Sequence, residues 1–200
     1  MNHLGHVWVA RRSGTSVLGN LLGDFVHGDP SGRFDAFVVQ GIRLHRKVDT
    51  YTDAHPAFAR TRARLRPELR RYAGVVVDIL WDHVLARDWP DFDPEPLRDV
   101  ADGILAELTA ADAILPARLR SFAAYARATD VFVGYGTRAG MERVFQGVSR
   151  RISRENPLPT AAEELDRQGE SLAEDFREFA ADLRSALGPE GPLSPARLVP

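Results

Sequence analysis

The stretch from Gly74 to Asp88, GVVVDILWDHVLARD, constrains the fold more than any other part of the sequence. Its apolar residues lie all round a helical wheel, which is typical of a helix that other helices surround. Two carboxylates, Asp78 and Asp82, interrupt it four residues apart and therefore lie on one face. An unpaired carboxylate is costly to bury, so each must pair, bind a cation or take up a proton.

The rest of the chain also has helical periodicity. We predict helices at 15–27, at 37–53, from Pro56 with a break near Pro67, at 74–88, and at about 96–112, 116–127, 138–153 and 160–187. The β-like runs VWVA, near the start, and DVFVG, at 130–134, are too isolated to form a sheet. We therefore predict an all-α, single-domain helical bundle over residues 1–187, followed by an extended, loose Pro/Gly-rich tail over 188–200.

Composition excludes several classes of function. The chain has no cysteine, which excludes disulfides, thiolate metal sites and a cysteine nucleophile. A formal net charge of −2 argues against a general nucleic-acid binder. The start, MNHLGHVWVA, is too short for a membrane span and lacks the basic lead of a secretory signal. We expect no nucleic-acid or membrane partner and, by default, a cytoplasmic location.

The segment 44–56, LHRKVDTYTDAHP, is rich in side chains that bind metals and move protons. A solvated helix face would more often use Glu, Lys and Gln, which are better helix formers than Asp, His and Thr. His45 and Asp49 are four residues apart, so both can be directed at one point, and Asp53 follows if the helix continues. Alternatively, Thr52 and Asp53 cap the helix that begins at Pro56.

Further candidate ligands lie elsewhere in the chain. Asp24, in LLGDFVHG, is predicted to be a buried acid on a helix that packs inward. His83 points about 100° away from Asp82, so it is either an indirect support of the site or a donor to substrate. His6 is a further candidate, although a lone histidine on an apolar strand is more often a hydrogen-bonded core residue. For each acid alone a salt bridge to arginine is the simpler interpretation, but the set predicts a metal centre.

Arginines crowd the segment ARTRARLRPELRR at 59–71, where Glu68 is the single acid. A solvated helix face is the simpler interpretation, but the local positive field also favours an acidic partner or a phosphate. The residues of this arginine run are Arg60, Arg62, Arg64, Arg66, Arg70 and Arg71.

Four segments, MNHLGH, GNLLGDFVHG, GIRLHRKVDTYTDAHP and VVVDILWDHVLARDW, together resemble the bacterial acyl carrier protein phosphodiesterase family. The resemblance extends over residues 1–90. Gly5 and Trp8 depart from the family pattern, and neither is a proposed ligand. The family is similar to the HD-type metal phosphohydrolases, helical proteins that hold divalent ions with His and Asp, with the order of the motifs rearranged.

The resemblance implies hydrolysis of the phosphodiester between a carrier-protein serine and 4′-phosphopantetheine, with Mn²⁺ or Mg²⁺ as the ion. Arg43 and Arg46, beside His45, are candidates to hold the phosphate bidentately, and the arginine run would meet the acidic carrier protein. The residues on the family's motif positions are Asp24, His45, Asp49, Asp78, Asp82, His83 and His6.

Two alternatives remain open at this point. One keeps the metal centre and changes the substrate to a nucleotide or another small phosphodiester. The other is a non-enzymatic helical module that binds an acidic partner, with the carboxylates in structural ion pairs.

Overall fold

A computed structural model of the chain describes residues 1–197, and within that range all regular structure is helical. Apart from an isolated bridge between Ser31 and Phe34, no strand pairing occurs in this part of the chain. The all-α prediction is therefore confirmed. The helices are α1 (His3–Ser13), α2 (Val17–Leu22), α3 (Ala36–Ala54), α4 (Pro56–Arg64), α5 (Ala73–Arg87), α6 (Leu97–Ala110), α7 (Ala117–Thr129), α8 (Val131–Gly134), α9 (Arg138–Ser149) and α10 (Glu164–Leu187).

Helix α5 lies at the centre of the bundle, as its apolar sequence predicts. It packs against α1, α4 and α10, and Trp81 is only 2% exposed. The Trp81 ring lies 5.3 Å from that of Phe58 on α4 and 4.7 Å from that of Phe179 on α10. Aromatic contacts of this kind join three helices into one core.

Helices α2 and α3 approach each other closely because glycines face each other across the contact. A Cβ atom on Gly19 would lie 2.4 Å from the Val38 carbonyl oxygen, and one on Gly41 would lie 2.7 Å from the Ser16 carbonyl oxygen. Both distances are too short for any side chain. The close approach carries the turn that follows α2 onto the middle of α3, where His45 lies.

One local prediction was wrong, and one alternative that the sequence left open does not hold. The helix predicted at 15–27 ends at Leu22, so Asp24 lies in the following turn. The cap of α4 is neither Thr52 nor Asp53, because His55 Nδ1 accepts the hydrogen bond of the Ala57 N–H at 3.2 Å. The β-like runs form no sheet, as predicted, because VWVA lies inside α1 and DVFVG contributes to α8.

Short 3₁₀ segments connect several of the helices. The break predicted near Pro67 is confirmed, because α4 ends at Arg64 and a 3₁₀ turn runs over Pro67–Tyr72 before α5 begins. The other 3₁₀ segments are Trp89–Asp91, Asp112–Ile114, Leu158–Glu163 and Pro195–Arg197.

The described part of the tail packs against the bundle instead of extending away from it. Leu193 is 5% exposed, and its N–H donates to the Ala186 carbonyl at 2.9 Å. Gln40 Nε2, on α3, donates to the Pro195 carbonyl at 3.1 Å. Residues 198–200 of the predicted tail lie outside the described residues, and the division of the chain at residue 187 stays a prediction.

Within residues 1–197, no helix has both the length and the apolarity that crossing a membrane requires.

Candidate metal centre

Two imidazole rings and one carboxylate converge where α1 meets α3. The rings of His6 and His45 stack with their centroids 3.8 Å apart. Asp49 lies between them, with Oδ1 3.0 Å from His6 Nε2 and Oδ2 3.1 Å from His45 Nε2. One ligand atom from each of the three residues lies within 4.8 Å of the others, a spacing that suits a shared cation.

Two features of the fold position these side chains. His45 and Asp49 are one turn apart on α3, as their spacing predicts. The buried ring of His45 also needs Gly23, because a Cβ atom there would lie 2.1 Å from His45 Cγ. The turn after α2 therefore has no side chain at the point where it covers this histidine.

Asp24 reaches the same histidine from that turn. Its Oδ1 lies 3.3 Å from His45 Nε2, and its side chain is 47% exposed. The prediction of a buried acid on an inward-packing helix was wrong, because α2 ends before Asp24. The residue nevertheless adds a solvent-accessible carboxylate at the edge of the cluster.

A positive group already lies between two of the carboxylates. The Met1 ammonium is 3.1 Å from Asp49 Oδ1 and 3.1 Å from Asp78 Oδ1. Burial raises the pKa of Asp78 above its usual value, and the nearby ammonium opposes this rise. Asp78 thus faces the cluster, as its inward position on α5 suggested. The ammonium lies where the carboxylates of Asp49 and Asp78 together attract a positive charge.

The cluster contains several buried polar atoms that the protein itself does not satisfy. His6 Nδ1, His45 Nδ1 and Asp78 Oδ1 have no hydrogen-bond partner among the described residues, and Asp78 Oδ1 meets the ammonium only as an ion pair. Buried polar atoms in folded proteins are normally hydrogen-bonded. Asp78 Oδ1 already faces the Met1 ammonium, so this buried carboxylate accepts a positive group, and the Nε2 atoms of both histidines face Asp49 from the other side.

The protonation states of the two histidines differ. Burial alone would lower the pKa of His45, but its contacts with Asp24 and Asp49 outweigh burial and raise the pKa to about 9. Burial and the adjacent His45 lower the pKa of His6 to about 4. Burial would raise the pKa of Asp49, yet hydrogen bonds with both histidines hold it far below its usual value. The cluster at neutral pH therefore contains one imidazolium, one neutral imidazole and an ionised carboxylate.

These residues fit a divalent cation. Imidazole nitrogen and carboxylate oxygen are ligands that Mn²⁺ and related ions accept, whereas Mg²⁺ prefers oxygen. His6, His45 and Asp49 can supply the first contacts, with Asp24 and Asp78 beside them.

The structure does not bring Asp82 into the cluster. Asp82 is 1% exposed, and its two oxygens accept the N–H groups of Leu4 at 3.0 Å and Gly5 at 2.9 Å. Burial raises its pKa to about 7, while the two N–H groups favour the ionised form. A carboxylate at this position caps the first turn of α1 and complements the helix dipole. Asp82 thereby holds the helix that carries His6.

His83 also points away from the cluster, as its position on the helical wheel suggests. Its Nδ1 lies 2.8 Å from the Tyr135 carbonyl oxygen, next to α8. Burial lowers its pKa. The hydrogen bond ties α5 to the C-terminal half of the chain.

Arg43 and Arg46, the predicted phosphate ligands, are directed at the loop that precedes α3. Arg46 donates to the carbonyls of Gly28 at 2.8 Å and Val26 at 2.5 Å. Arg43 donates to Ser31 Oγ at 3.0 Å. In this structure both guanidinium groups hold the loop and do not face the cluster.

A cleft opens beside the cluster, and sequence analysis missed it. Its inner part has a volume of about 270 Å³ and is lined by Asp24, His3, Tyr125 and Arg151, among others. His3 had been assigned no role, although HLGH places it three residues before His6 on the same helical face. That spacing could have predicted that His3 lies near the cluster. The opposite wall comes from α7 and α9, for which the sequence suggested no function.

Comparison with known proteins identifies the family of this chain. The family model described as acyl carrier protein phosphodiesterase matches residues 1–183 of the chain. The chain belongs to the acyl carrier protein phosphodiesterase family. The match reaches well beyond the four motif segments in residues 1–90, so the C-terminal helices are part of the family domain.

Proteins named acyl carrier protein phosphodiesterase are similar to this chain over most of its length. The one from Yersinia enterocolitica is 31% identical over 186 residues, which cover 92% of this chain and 96% of that protein. The one from Enterobacter sp. is 32% identical over 180 residues, which cover 90% and 93%.

A third relative, from Pectobacterium atrosepticum, is 40% identical over 126 residues, which cover 62% of this chain and 65% of that protein. This match spans just under two thirds of the relative. No solved structure matches the chain, so the similarity to HD-type phosphohydrolases stays a prediction.

Proposed function

We propose that this protein hydrolyses the phosphodiester of holo acyl carrier protein, releasing 4′-phosphopantetheine and apo carrier protein. The relatives carry the name of this activity. The observation that supports it best is the convergence of His6, His45 and Asp49 within 4.8 Å in a chain of this family. Alternating imidazole and carboxylate groups of this kind suit metal-assisted phosphoryl chemistry.

We propose further that the cluster holds Mn²⁺ or Mg²⁺ through His6, His45 and Asp49. A divalent cation held there would supply charge stabilisation for the phosphoryl oxygens. Asp78, which shares the Met1 ammonium with Asp49, would add negative charge that favours the bound cation. Asp24 is exposed to the cleft and hydrogen-bonded to His45, so it is positioned to take a proton from the attacking water.

Asp82 and His83 have positioning roles in this proposal. Asp82 fixes the start of α1 and therefore the direction of His6. His83 fixes α5 against the segment at Tyr135, which lines the cleft. Both residues then affect the reaction through the residues they hold.

Some residues of the arginine run form ion pairs within the protein, and others do not. Arg60 and Arg64 pair with Asp175 on α10, which is 7% exposed, and Arg66 pairs with Glu163 and Glu164. These three arginines join α4 and the following segment to α10. The members without an ion-pair partner among the described residues are Arg62, Arg70 and Arg71, although Arg62 lies 5.7 Å from the centre of the Phe58 ring.

We infer that the acidic carrier protein docks on the unpaired members. Arg154 Nε donates to the Tyr72 hydroxyl at 3.3 Å, which brings the segment with Arg70 and Arg71 beside the segment with Arg151. Arg151 lines the cleft. Docking there would place the carrier-protein serine near the candidate metal centre.

The proposed function is tested by incubating the protein with Mn²⁺ and holo acyl carrier protein and measuring the intact mass of the carrier protein. We expect the carrier protein to become lighter by the 4′-phosphopantetheine group. Asp24→Asn and His45→Gln should lose most of this activity, whereas His27→Gln, at an exposed site, should keep it. Intact holo carrier protein together with hydrolysis of a nucleotide or small phosphodiester would favour that alternative. Binding of the carrier protein without any hydrolysis would favour the non-enzymatic module.

A further inference from the structure

The cleft beside the candidate metal centre continues outward along α7. Its inner part, of about 270 Å³, and its outer part, of about 590 Å³, share the lining residues His3, Phe25, Phe122 and Arg151. Sites for small ligands commonly have volumes of roughly 300–1,000 Å³. The cleft is therefore large enough for an extended small group, and it begins at Asp24.

We propose that this cleft binds the 4′-phosphopantetheine arm of the substrate and that Arg151 holds the phosphate end. The inference rests on the proposed function, because that function supplies the arm. It assigns substrate binding to the C-terminal half of the chain, and it gives Arg151 the role that the sequence suggested for Arg43 and Arg46.

The lining of the cleft matches the chemistry of the arm. Pantetheine alternates apolar carbons with a hydroxyl and two amide groups. The inner part presents Phe25, Ile79 and Phe122 as apolar walls, with Asn2 and Tyr125 as polar groups between them. A mainly apolar site with a few polar groups is typical of specific recognition of a small ligand.

The charges along the cleft favour a phosphate beside Arg151, where the two parts of the cleft meet. Arg151 is exposed and has no carboxylate partner among the described residues, and its charge acts on His3. Arg118 lines the outer part and is also without an ion-pair partner there. Asp24 is the single acid among the described lining residues, and it is engaged with His45. Guanidinium groups can bind phosphate oxygens bidentately.

A steric test uses Gly147, on α9, which lines the inner part of the cleft. A Cβ atom there would meet only the Tyr125 hydroxyl, at 3.9 Å, so a larger side chain enters the cleft without a backbone clash. We expect Gly147→Leu to lower kcat/KM for holo carrier protein about tenfold or more, because the arm loses its space. Mn²⁺ binding and thermal stability should be retained. Gly103→Leu is the matched control, since Gly103 is a helical glycine on α6 with no atom within 4 Å of the added Cβ.

A charge test compares two neighbouring arginines. Arg151→Gln should weaken binding of free 4′-phosphopantetheine to the Mn²⁺-loaded protein about tenfold or more in calorimetry, because one charge-assisted contact is lost. Binding of pantetheine, which lacks the phosphate, should not change between wild type and this variant. Arg150→Gln removes the same charge from a residue outside the cleft lining and should bind both compounds like the wild type.

The outcomes separate this inference from the proposed function. If the protein hydrolyses holo carrier protein and both Gly147→Leu and Arg151→Gln behave like wild type, the arm site is overturned and the function stands. If no hydrolysis occurs but 4′-phosphopantetheine binds and both variants weaken it, the arm site stands and the function is overturned. If neither hydrolysis nor binding occurs, both are overturned.

Discussion

The imidazole rings of His6 and His45 stack with centroids 3.8 Å apart, although one belongs to α1 and the other to α3. Two imidazolium groups so close would repel each other. The pKa of His45 is raised to about 9 and that of His6 is lowered to about 4. At neutral pH His45 is therefore an imidazolium and His6 a neutral imidazole. Any cation that binds both rings must displace the extra proton of His45.

We therefore predict that Mn²⁺ binding releases one proton below pH 9. His45 gives up its proton to become a ligand, so the apparent affinity should rise about tenfold per pH unit between about 7 and 9 and then level off. Calorimetry in buffers of different ionisation enthalpy counts the protons released. A pH-independent affinity without proton release would contradict this use of His45.

Replacing either histidine should remove the cation site. We expect His6→Gln and His45→Gln each to weaken Mn²⁺ binding by at least about tenfold, because each takes one nitrogen from the converging set. Equilibrium dialysis with a metal assay measures the binding. His27→Gln should bind like wild type, since His27 is exposed and outside the cluster. Normal binding by His6→Gln would show that His6 only packs against His45.

The two acids on α5 should respond differently to the same change. Asp82→Asn turns an N–H donor toward a backbone N–H of Leu4 or Gly5, so we expect a loss of about 1–3 kcal/mol in the free energy of unfolding. Asp78→Asn should lose most of the stabilisation by Mn²⁺, with a smaller loss of metal-free stability. Urea denaturation with and without Mn²⁺ measures both effects. If the two variants lost the same stability with and without Mn²⁺, Asp82 would not be the cap of α1 or Asp78 would not face the cation.

The arginine run should divide into docking and structural members. Arg70→Glu together with Arg71→Glu should raise KM for holo carrier protein and leave kcat nearly unchanged, because docking is remote from the reacting atoms. Added salt should reproduce this effect in the wild type. Arg64→Gln should instead lower the free energy of unfolding by about 1–3 kcal/mol, since it removes a partner of the buried Asp175. The docking hypothesis fails if the doubly reversed protein keeps the wild-type KM and salt response.

Residues on one helix could be predicted to lie together from the sequence alone. The all-α fold, the central position of α5 and the pairing of His45 with Asp49 all follow from the 3.6-residue period, which is a local property of the backbone. The same reasoning predicted that Asp78 would face inward. The resemblance of the four motif segments to a known family was also present in the sequence.

Relationships between helices were decided by tertiary packing. The sequence does not show that Asp82 caps α1, that His6 meets His45, or that Asp24 reaches His45. It also does not show which arginines meet acids on α10, or that α7 and α9 form one wall of a cleft. These contacts join residues far apart in the chain, and their distances depend on how whole helices pack, which no local period encodes.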